Sequence, residues 1–222
     1  MDWEALWLSV RLGIVTVVIL VPMAVIVGRW LAVTRVRGRG LFEAALALPL
    51  VLPPTVVGFY LLVAMGGGSW LGRAWRDLFG TTLVFSFEGL VVASVLVNIP
   101  FAVQPAQRAF EAIQPDLREA AASCGMSRWR AFARIEMPLA WPGILTGAVL
   151  TFAHTLGEFG VVLMVGGSIP GETRTIAISI YDRVQAFDDA AAARMSAVLL
   201  LISLVTIAIT FTLSRRIGRR HG

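Results

Sequence analysis

The chain has 222 residues, of which 57 % are hydrophobic and 15 % are charged, and its mean hydropathy is +0.79. A soluble domain carries roughly 45–50 % apolar and about 25 % charged residues, so this composition excludes an ordinary soluble domain and a disordered chain. The remaining class is an integral membrane protein with several spans, here with a formal net charge of +5.

Two residue counts exclude several kinds of chemistry. All 19 basic residues are arginine, so a lysine-dependent nucleotide-binding loop and Schiff-base catalysis are both excluded. The single Cys124 allows neither an internal disulfide nor a multi-cysteine metal site. An intramembrane enzyme would have only His154 and Glu158 as an acid–base pair. We therefore expect no catalytic residue, no metal site and no bound cofactor.

Long stretches without charge predict an all-α protein with about five membrane spans, because a spanning helix needs about 20 apolar residues. Three glycines, Gly66 to Gly68, should end the second span early. The uncharged piece 175–181 is too short to span and predicts a re-entrant or outer-surface helix. The acidic start at Asp2 and Glu4 argues against a cleaved signal peptide. The predicted spans lie near residues 10–30, 43–65, 86–107, 141–165 and 194–214.

The arginine distribution predicts the orientation of these spans. With the N-terminus outside and the C-terminus inside, 13 of the 19 arginines fall in the inner segments 29–43, 108–136 and 215–222. The outer loops, about 66–88 and 166–194, hold five. Cytoplasmic loops collect arginine, so the excess supports both the span count and the orientation. It also explains the basic tail as a topology anchor rather than a nucleic-acid site. The tail arginines are Arg215, Arg216, Arg219 and Arg220.

The inner loop, about 108–140, predicts two short amphipathic helices joined by a glycine. Asp116 is the expected N-cap of the first helix, and Gly125 is expected to end it in a left-handed conformation. Ser127 is the expected cap of the second helix, and Pro138 leads into the fourth span. The first helix has an apolar stripe at Leu117, Ala120, Ala121 and Cys124, and the second one at Trp129, Phe132 and Ile135.

The same loop carries a motif in which Glu119-Ala120-Ala121 precedes Gly125 by three residues, with Ile135 and Met137-Pro138 downstream. This pattern resembles the E-A-A signature of ABC-importer permeases, apart from Met137 in place of the usual leucine. The resemblance implies a coupling helix seated in a groove of a separate ATPase subunit. The residues that would make this contact are Glu119, Ala120, Ala121, Gly125, Trp129, Ile135 and Pro138. The alternative is that the loop contacts no ATPase and lies as an amphipathic helix on the membrane surface. In that case Trp129 would anchor its own helix.

Two further stretches, 48–66 and 156–176, resemble the molybdate permeases, most distinctively at 169–175. The sulfate/thiosulfate permeases share the Gly-Glu-Phe-Gly turn at 157–160, so they are the alternative, and tungstate cannot be separated from molybdate. The resemblance implies one permease domain over 1–222 in the bacterial cytoplasmic (inner) membrane. It also implies a homodimer, two ATPase subunits and a periplasmic oxyanion-binding protein. A stand-alone channel or secondary transporter and a structural anchor are less favoured alternatives.

Polar residues of the fourth span are candidates for the translocation path. Thr151, His154 and Thr155 fall on one helical face, and polar groups at membrane depth should face a cavity or a partner helix. Glu158 lies on the same face. A bare carboxylate repels a dianion, so we expect it, with Gly157 and Gly160, to be structural or gating. It would accept backbone N–H bonds, pair with His154 or an arginine, or be protonated.

In the second outer loop, Glu172 and Arg174 are candidates for docking the binding protein. Alternatively, these two residues pair with each other at the surface.

Overall fold

The computed structural model describes residues 1–34 and 36–218, and side chains to residue 208, and this part of the chain is helical without strands. Arg35, Arg219 and Arg220, used for the predicted orientation, lie outside the described residues. In chain order the elements are α1 (Trp3–Val33), α2 (Arg39–Val51), α3 (Pro54–Met65), α4 (Trp70–Phe79), α5 (Phe87–Glu111), α6 (Pro115–Ser123), α7 (Arg128–Ala131), a π-helical segment (Phe132–Glu136), α8 (Met137–Gly157), α9 (Gly160–Gly166), α10 (Ile176–Gln185) and α11 (Asp189–Gly218).

Within the described residues, four helices are long and apolar enough to cross a membrane. The bent pair α2–α3 makes a fifth if it is counted as one span. The all-α class and the number of spans are therefore confirmed. The four are α1, α5, the continuous helix Arg128–Gly157 and α11 as far as Ala208.

Close packing of α1, α5 and α8 forms the centre of the molecule, with Leu20, Phe110 and Ile144 in its largest apolar cluster. Small residues permit the close approach of the helices. A Cβ added at Gly147 would lie 2.8 Å from the Ala102 carbonyl oxygen of α5. These backbones are therefore already at contact distance, and this rigid centre holds the polar residues described below.

The predicted second span, 43–65, is not one helix. The chain is extended at Leu52 and Pro53, with ψ of 139° and 136°, and the axes of α2 and α3 differ by 107°. Two successive prolines explain the break, because each lacks an N–H and each disfavours helical geometry in the residue before it. The expected stop at the glycines is confirmed, since α3 ends at Met65 and Gly66 is its C-cap.

The predicted fourth span, 141–165, has the wrong boundaries. The helix begins at Arg128, continues through the π-helical segment and ends at Gly157. Glu158 then adopts an extended conformation, with ψ of 127°, and α9 starts separately at Gly160. Hydropathy cannot detect this break, because both sides of it are apolar.

The short uncharged piece 175–181 forms most of α10, which packs against α1 and α11. The Ser9 hydroxyl of α1 accepts a 2.8 Å hydrogen bond from the Ile176 N–H. The Ser179 hydroxyl donates to Asp2, whose other oxygen caps α1 by accepting from the Ala5 N–H at 3.0 Å. Side-chain bonds thus join α10 to the first turns of α1.

Several groups act on the Asp2 carboxyl at this junction. Partial burial raises the pKa of Asp2, but the bonds from Ala5 and Ser179 and the charges of Arg174 and Arg183 lower it. The net effect is a pKa below the usual value of an aspartate. The carboxylate is therefore in its accepting form at neutral pH, as the cap of α1 requires.

Candidate functional site

The loop between α5 and α8 forms two short helices joined by a glycine, as predicted. Helix α6 ends at Ser123, and Gly125 follows with φ of 72°, in the left-handed region. The Ser127 side chain then caps α7 by accepting from the Arg130 N–H at 3.3 Å. The prediction of Asp116 as N-cap is wrong. Gln114 occupies that position, and Pro115 takes the first helical turn, where its missing N–H is harmless.

Most of the predicted apolar stripe on α6 is uncovered. Ala121 is 4 % exposed, whereas Leu117 is 43 % exposed. Trp129 on α7 is 74 % exposed and touches its own chain at Phe132, with ring centroids 5.3 Å apart. We call the side chains Leu117, Glu119, Ala120, Cys124 and Trp129, all exposed, the coupling face.

The other two residues of the motif lie where the loop becomes a span. Ile135 is half-buried in the π-helical segment, and the exposed Pro138 occupies the first turn of α8. Because α7, the π-helical segment and α8 are continuous, a displacement of α7 is transmitted directly to the span. Glu119 and Ala120 lie on α6, which Gly125 connects to that continuous helix.

The polar face predicted on the fourth span divides into two environments. Thr151 and Thr155 are 0 % and 1 % exposed, so neither hydroxyl reaches an open path in this conformation, and the Thr151 hydroxyl has no hydrogen-bond partner among the described residues. Thr155 Oγ1 donates to the Thr151 carbonyl and lies 3.3 Å from Ser94 Oγ, which also accepts from Thr16. The hydroxyls of Thr155, Ser94 and Thr16 thus join α8, α5 and α1, and the assignment of Thr151 and Thr155 to the path stays a prediction.

His154 occupies the second environment and is partly accessible. Its Nδ1 lies 3.1 Å from Asn98 Oδ1, and its ring stacks on Phe101 with centroids 4.1 Å apart. The Asn98 amide nitrogen donates to the Ser94 carbonyl at 2.8 Å, which fixes the amide so that its oxygen faces His154. His154 Nδ1 must then carry the proton, and Nε2 points away from Asn98.

Glu158 caps a helix at the break after α8. Its side chain is 7 % exposed, and Oε1 accepts from the Val161 N–H of α9 at 3.0 Å. Oε2 lies 3.9 Å from His154 Nε2. An added Cβ at Gly160 would lie 2.9 Å from Pro54 Cβ, whereas one at Gly157 would meet no atom within 4 Å. Gly160 therefore allows α9 to approach the start of α3.

A cavity of about 150 Å³ opens beside this break. His154 and Glu158 are its two ionisable lining residues, and prolines of the α2–α3 bend contribute to its wall. No arginine lines it. A tight oxyanion site needs several converging donors, so this cavity offers at most weak attraction to an anion.

A larger cavity of about 750 Å³ lies at the end of the molecule where α4 and the start of α5 meet. Arg11, Glu88 and Glu172 line it, and the Arg11 guanidinium lies 4.1 Å from the centroid of the Phe87 ring. Arg174 is not among its lining residues.

The alternative that Arg174 pairs with Glu172 is wrong. Arg174 Nε donates to Ser168 Oγ at 3.0 Å and lies 3.7 Å from an Asp182 oxygen. Glu172 is exposed and free to contact another protein. The two docking candidates therefore lie in one loop, but Arg174 is already engaged by its own chain.

Sequence reasoning missed two groups of polar residues. Ser94 and Asn98 lie on one face of α5, and their uncharged polar side chains inside an apolar span were an available signal. Glu136, 3 % exposed, binds Arg29 and Arg118. Its partners are distant in sequence, so no local pattern indicates them.

Within the described residues, no group of three or more histidine, cysteine or acidic side chains is arranged to hold a metal ion.

Comparisons with known proteins agree with this architecture. Residues 20–219 match the family described as binding-protein-dependent transport system inner membrane component. A molybdenum transport system permease protein ModB of Azotobacter vinelandii is 47 % identical, over 93 % of this chain and 91 % of the relative. The ModB of Escherichia coli K12 is 36 % identical over 100 % of this chain and 97 % of its own length. The sulfate transport system permease protein CysT of the same organism is 35 % identical over 84 % of this chain and 67 % of its own length.

Two solved structures have a similar fold. A bacterial ABC transporter involved in alginate import aligns with a TM-score of 0.77 over 96 % of this chain and 78 % of its own, at 18 % identity. The MetNI methionine ABC transporter in an inward-facing conformation aligns with a TM-score of 0.76 over 98 % of this chain and 96 % of its own, at 16 % identity. At these identities the comparison establishes the fold alone.

Proposed function

The chain belongs to the family of binding-protein-dependent transport system inner membrane components, and we propose that it is the permease subunit of an ATP-driven molybdate importer. The observation that carries the substrate is the 47 % identity to a molybdenum permease over almost the full length of both chains. Sulfate is the second candidate, because a sulfate permease is 35 % identical over a smaller part of the chain. Tungstate is nearly isosteric with molybdate and would follow the same route.

The chain is a multi-pass component of the inner membrane, and we treat all of 1–222 as one permease domain. We propose that the transporter is a homodimer of this chain with two copies of a cytoplasmic ATPase subunit and a periplasmic oxyanion-binding protein. The absence of lysine supports this division, because the nucleotide must then be bound by another polypeptide. This subunit itself carries out no catalytic step.

The coupling face supplies the contact with the ATPase. Leu117 and Trp129 would bury their exposed surface in a groove of that subunit, and the small Ala120 would allow close approach. Closure of the ATPase dimer on ATP then brings the two coupling faces together. Because α7 is continuous with α8, the spans tilt with it and the path opens toward the binding protein. Hydrolysis returns the assembly to its inward-open state.

For the translocation path we propose His154 as the contact residue of this subunit. It lines the cavity of about 150 Å³, and because Nδ1 donates to Asn98, Nε2 would donate to a passing oxyanion in the doubly protonated, imidazolium form of the ring. The weak attraction suits a path, since an ion must leave as readily as it enters. Glu158, Gly157 and Gly160 would form the hinge beside it. Glu172 and Arg174 would contribute to docking the binding protein.

The native cysteine offers a direct test of the coupling face. Cys124 is the sole cysteine of the chain and is exposed. A membrane-impermeant maleimide should label it in inside-out vesicles and not in right-side-out vesicles. Co-expression of the ATPase subunit should protect it, because the groove would cover α6.

A matched control is the double variant Cys124→Ala, Thr81→Cys. Thr81 is exposed in the first outer loop, so this variant should be labelled from the opposite side and unaffected by the ATPase. Labelling of Cys124 from outside, or full labelling in a complex that retains the ATPase, would contradict the proposed role of the loop.

The substrate is tested by ATP-dependent uptake in vesicles with the cognate binding protein. We expect radiolabelled molybdate to accumulate, tungstate to compete strongly and sulfate weakly. Stronger competition by sulfate would favour the second candidate. Uptake without any ATPase subunit would show a channel or secondary transporter instead.

A further inference from the structure

A buried carboxylate connects α6 to the membrane-spanning helices. Glu136 lies in the π-helical segment, and its side chain is 4 % exposed. Oε2 accepts from Arg29 Nε of α1 at 2.5 Å, and Oε1 accepts from Arg118 Nε of α6 at 3.2 Å. Three elements therefore meet at one charged group.

The two arginines are held by further contacts. Arg118 Nη2 donates to the Phe110 carbonyl at the end of α5, at 2.9 Å. The Arg29 guanidinium lies 5.1 Å from the centroid of the Phe132 ring, within the π-helical segment. Both arginines are thus fixed relative to the spans, and Glu136 lies between them.

The attachment of α6 to the rest of the chain depends on this cluster. Ala121 is the one residue of α6 that is buried, and a cavity of about 350 Å³ is lined by Ala122 and Met126 together with Val33 of α1. Among the residues that the structure describes, Arg118 makes every side-chain hydrogen bond between α6 and other elements. Charge therefore links α6 to Glu136 and, through Glu136, to Arg29 of α1.

We propose that Glu136 is the positioning residue that makes α6 move as one body with α1 and α8. The inference rests on the proposed function, in which α6 is seated in the ATPase. A displacement of α6 carries Arg118 with it. Separation of Arg118 from Glu136 would remove one of the two cationic partners of a buried carboxylate, which is unfavourable. The ion cluster therefore transmits the displacement to α1, whereas the continuous α7–α8 helix alone would reach only the fourth span.

The test compares Glu136→Gln with the wild-type complex of permease, ATPase subunit and binding protein in proteoliposomes. Glutamine has nearly the same shape but no charge. We expect binding-protein-stimulated ATP hydrolysis to persist, while the amount of molybdate imported per ATP hydrolysed falls about tenfold, since both arginines lose their common partner. A merely structural role would lower hydrolysis and uptake together through the amount of assembled complex. Glu136→Asp, which keeps the charge, should restore part of the ratio.

Arg118→Gln is the second variant, because it leaves the Arg29–Glu136 pair in place if Glu136→Gln does not assemble. The matched control is Glu43→Gln, which removes a carboxylate from a separate ion cluster in which Arg39 donates to Glu43 at 2.8 Å. That cluster joins α2 to α5 and does not include α6. Glu43→Gln should therefore leave the amount of molybdate imported per ATP hydrolysed unchanged. A wild-type ratio in Arg118→Gln, or parallel loss of hydrolysis and uptake in assembled Glu136→Gln, would overturn the proposal. Failure of the wild-type complex to hydrolyse or import would instead reject the proposed function.

Discussion

Replacing Gly125 with valine should reduce ATP-driven uptake about tenfold or more while leaving membrane insertion intact, because the elbow between α6 and α7 can no longer form without strain. Gly125 has φ of 72°, and a β-branched residue in the left-handed region costs about 1–3 kcal/mol. No atom lies within 4 Å of an added Cβ, so the penalty comes from the backbone rather than from a clash. To relieve it, the elbow would open and α6 would lose its orientation toward the ATPase.

The outer loop provides a matched control for this substitution. Gly80 has φ of 71° and equally open surroundings, so Gly80→Val imposes the same backbone penalty after α4. We expect it to leave the coupling of hydrolysis to uptake unchanged. Gly125→Asn should keep most of the uptake, since asparagine tolerates the left-handed conformation. Equal uptake by Gly125→Val and the wild-type protein would mean that the elbow has no role in coupling.

The elements that sequence predicted well depend on local chemistry. Gly125 and Ser127 are a helix stop and a helix cap within two residues of each other, and both act through the backbone beside them. The apolar spans are equally local, because length and hydropathy alone decide them. The prediction of one helix over 43–65 is wrong because hydropathy does not detect the bend. Pro53 and Pro54 are apolar, yet α2 and α3 meet there at 107°.

What the sequence could not predict depends on which helix covers a given face. Thr151, His154 and Thr155 do share one helical face, as their spacing predicted. Only the packing of α1 and α5 decides that the two threonines are buried while His154 reaches a cavity. Glu136 illustrates the same limit, because Arg29 is 107 residues away along the chain. Such a partner is chosen by the tertiary fold.

Replacing Glu158 with leucine should greatly reduce the amount of assembled transporter. Glu158 Oε1 accepts from the Val161 N–H at the start of α9, whose Val161, Val162 and Val165 are buried. Without an acceptor, that buried N–H would lose its hydrogen bond, at a cost of about 1–3 kcal/mol. Helix α9 would then separate from its contact at Pro54. The yield of the complex in detergent, measured against wild type, tests this effect.

Replacing Glu158 with glutamine separates the hydrogen bond from the charge. The amide oxygen can still accept from Val161, so we expect assembly closer to wild type than with leucine, and an altered uptake rate because His154 no longer faces a carboxylate. The preference for molybdate over sulfate should stay the same, since a carboxylate repels both dianions. If the assembled glutamine variant changed that preference, Glu158 would be a substrate contact rather than a helix cap. If the leucine variant assembled normally, the bond to Val161 would not be what holds α9 in place.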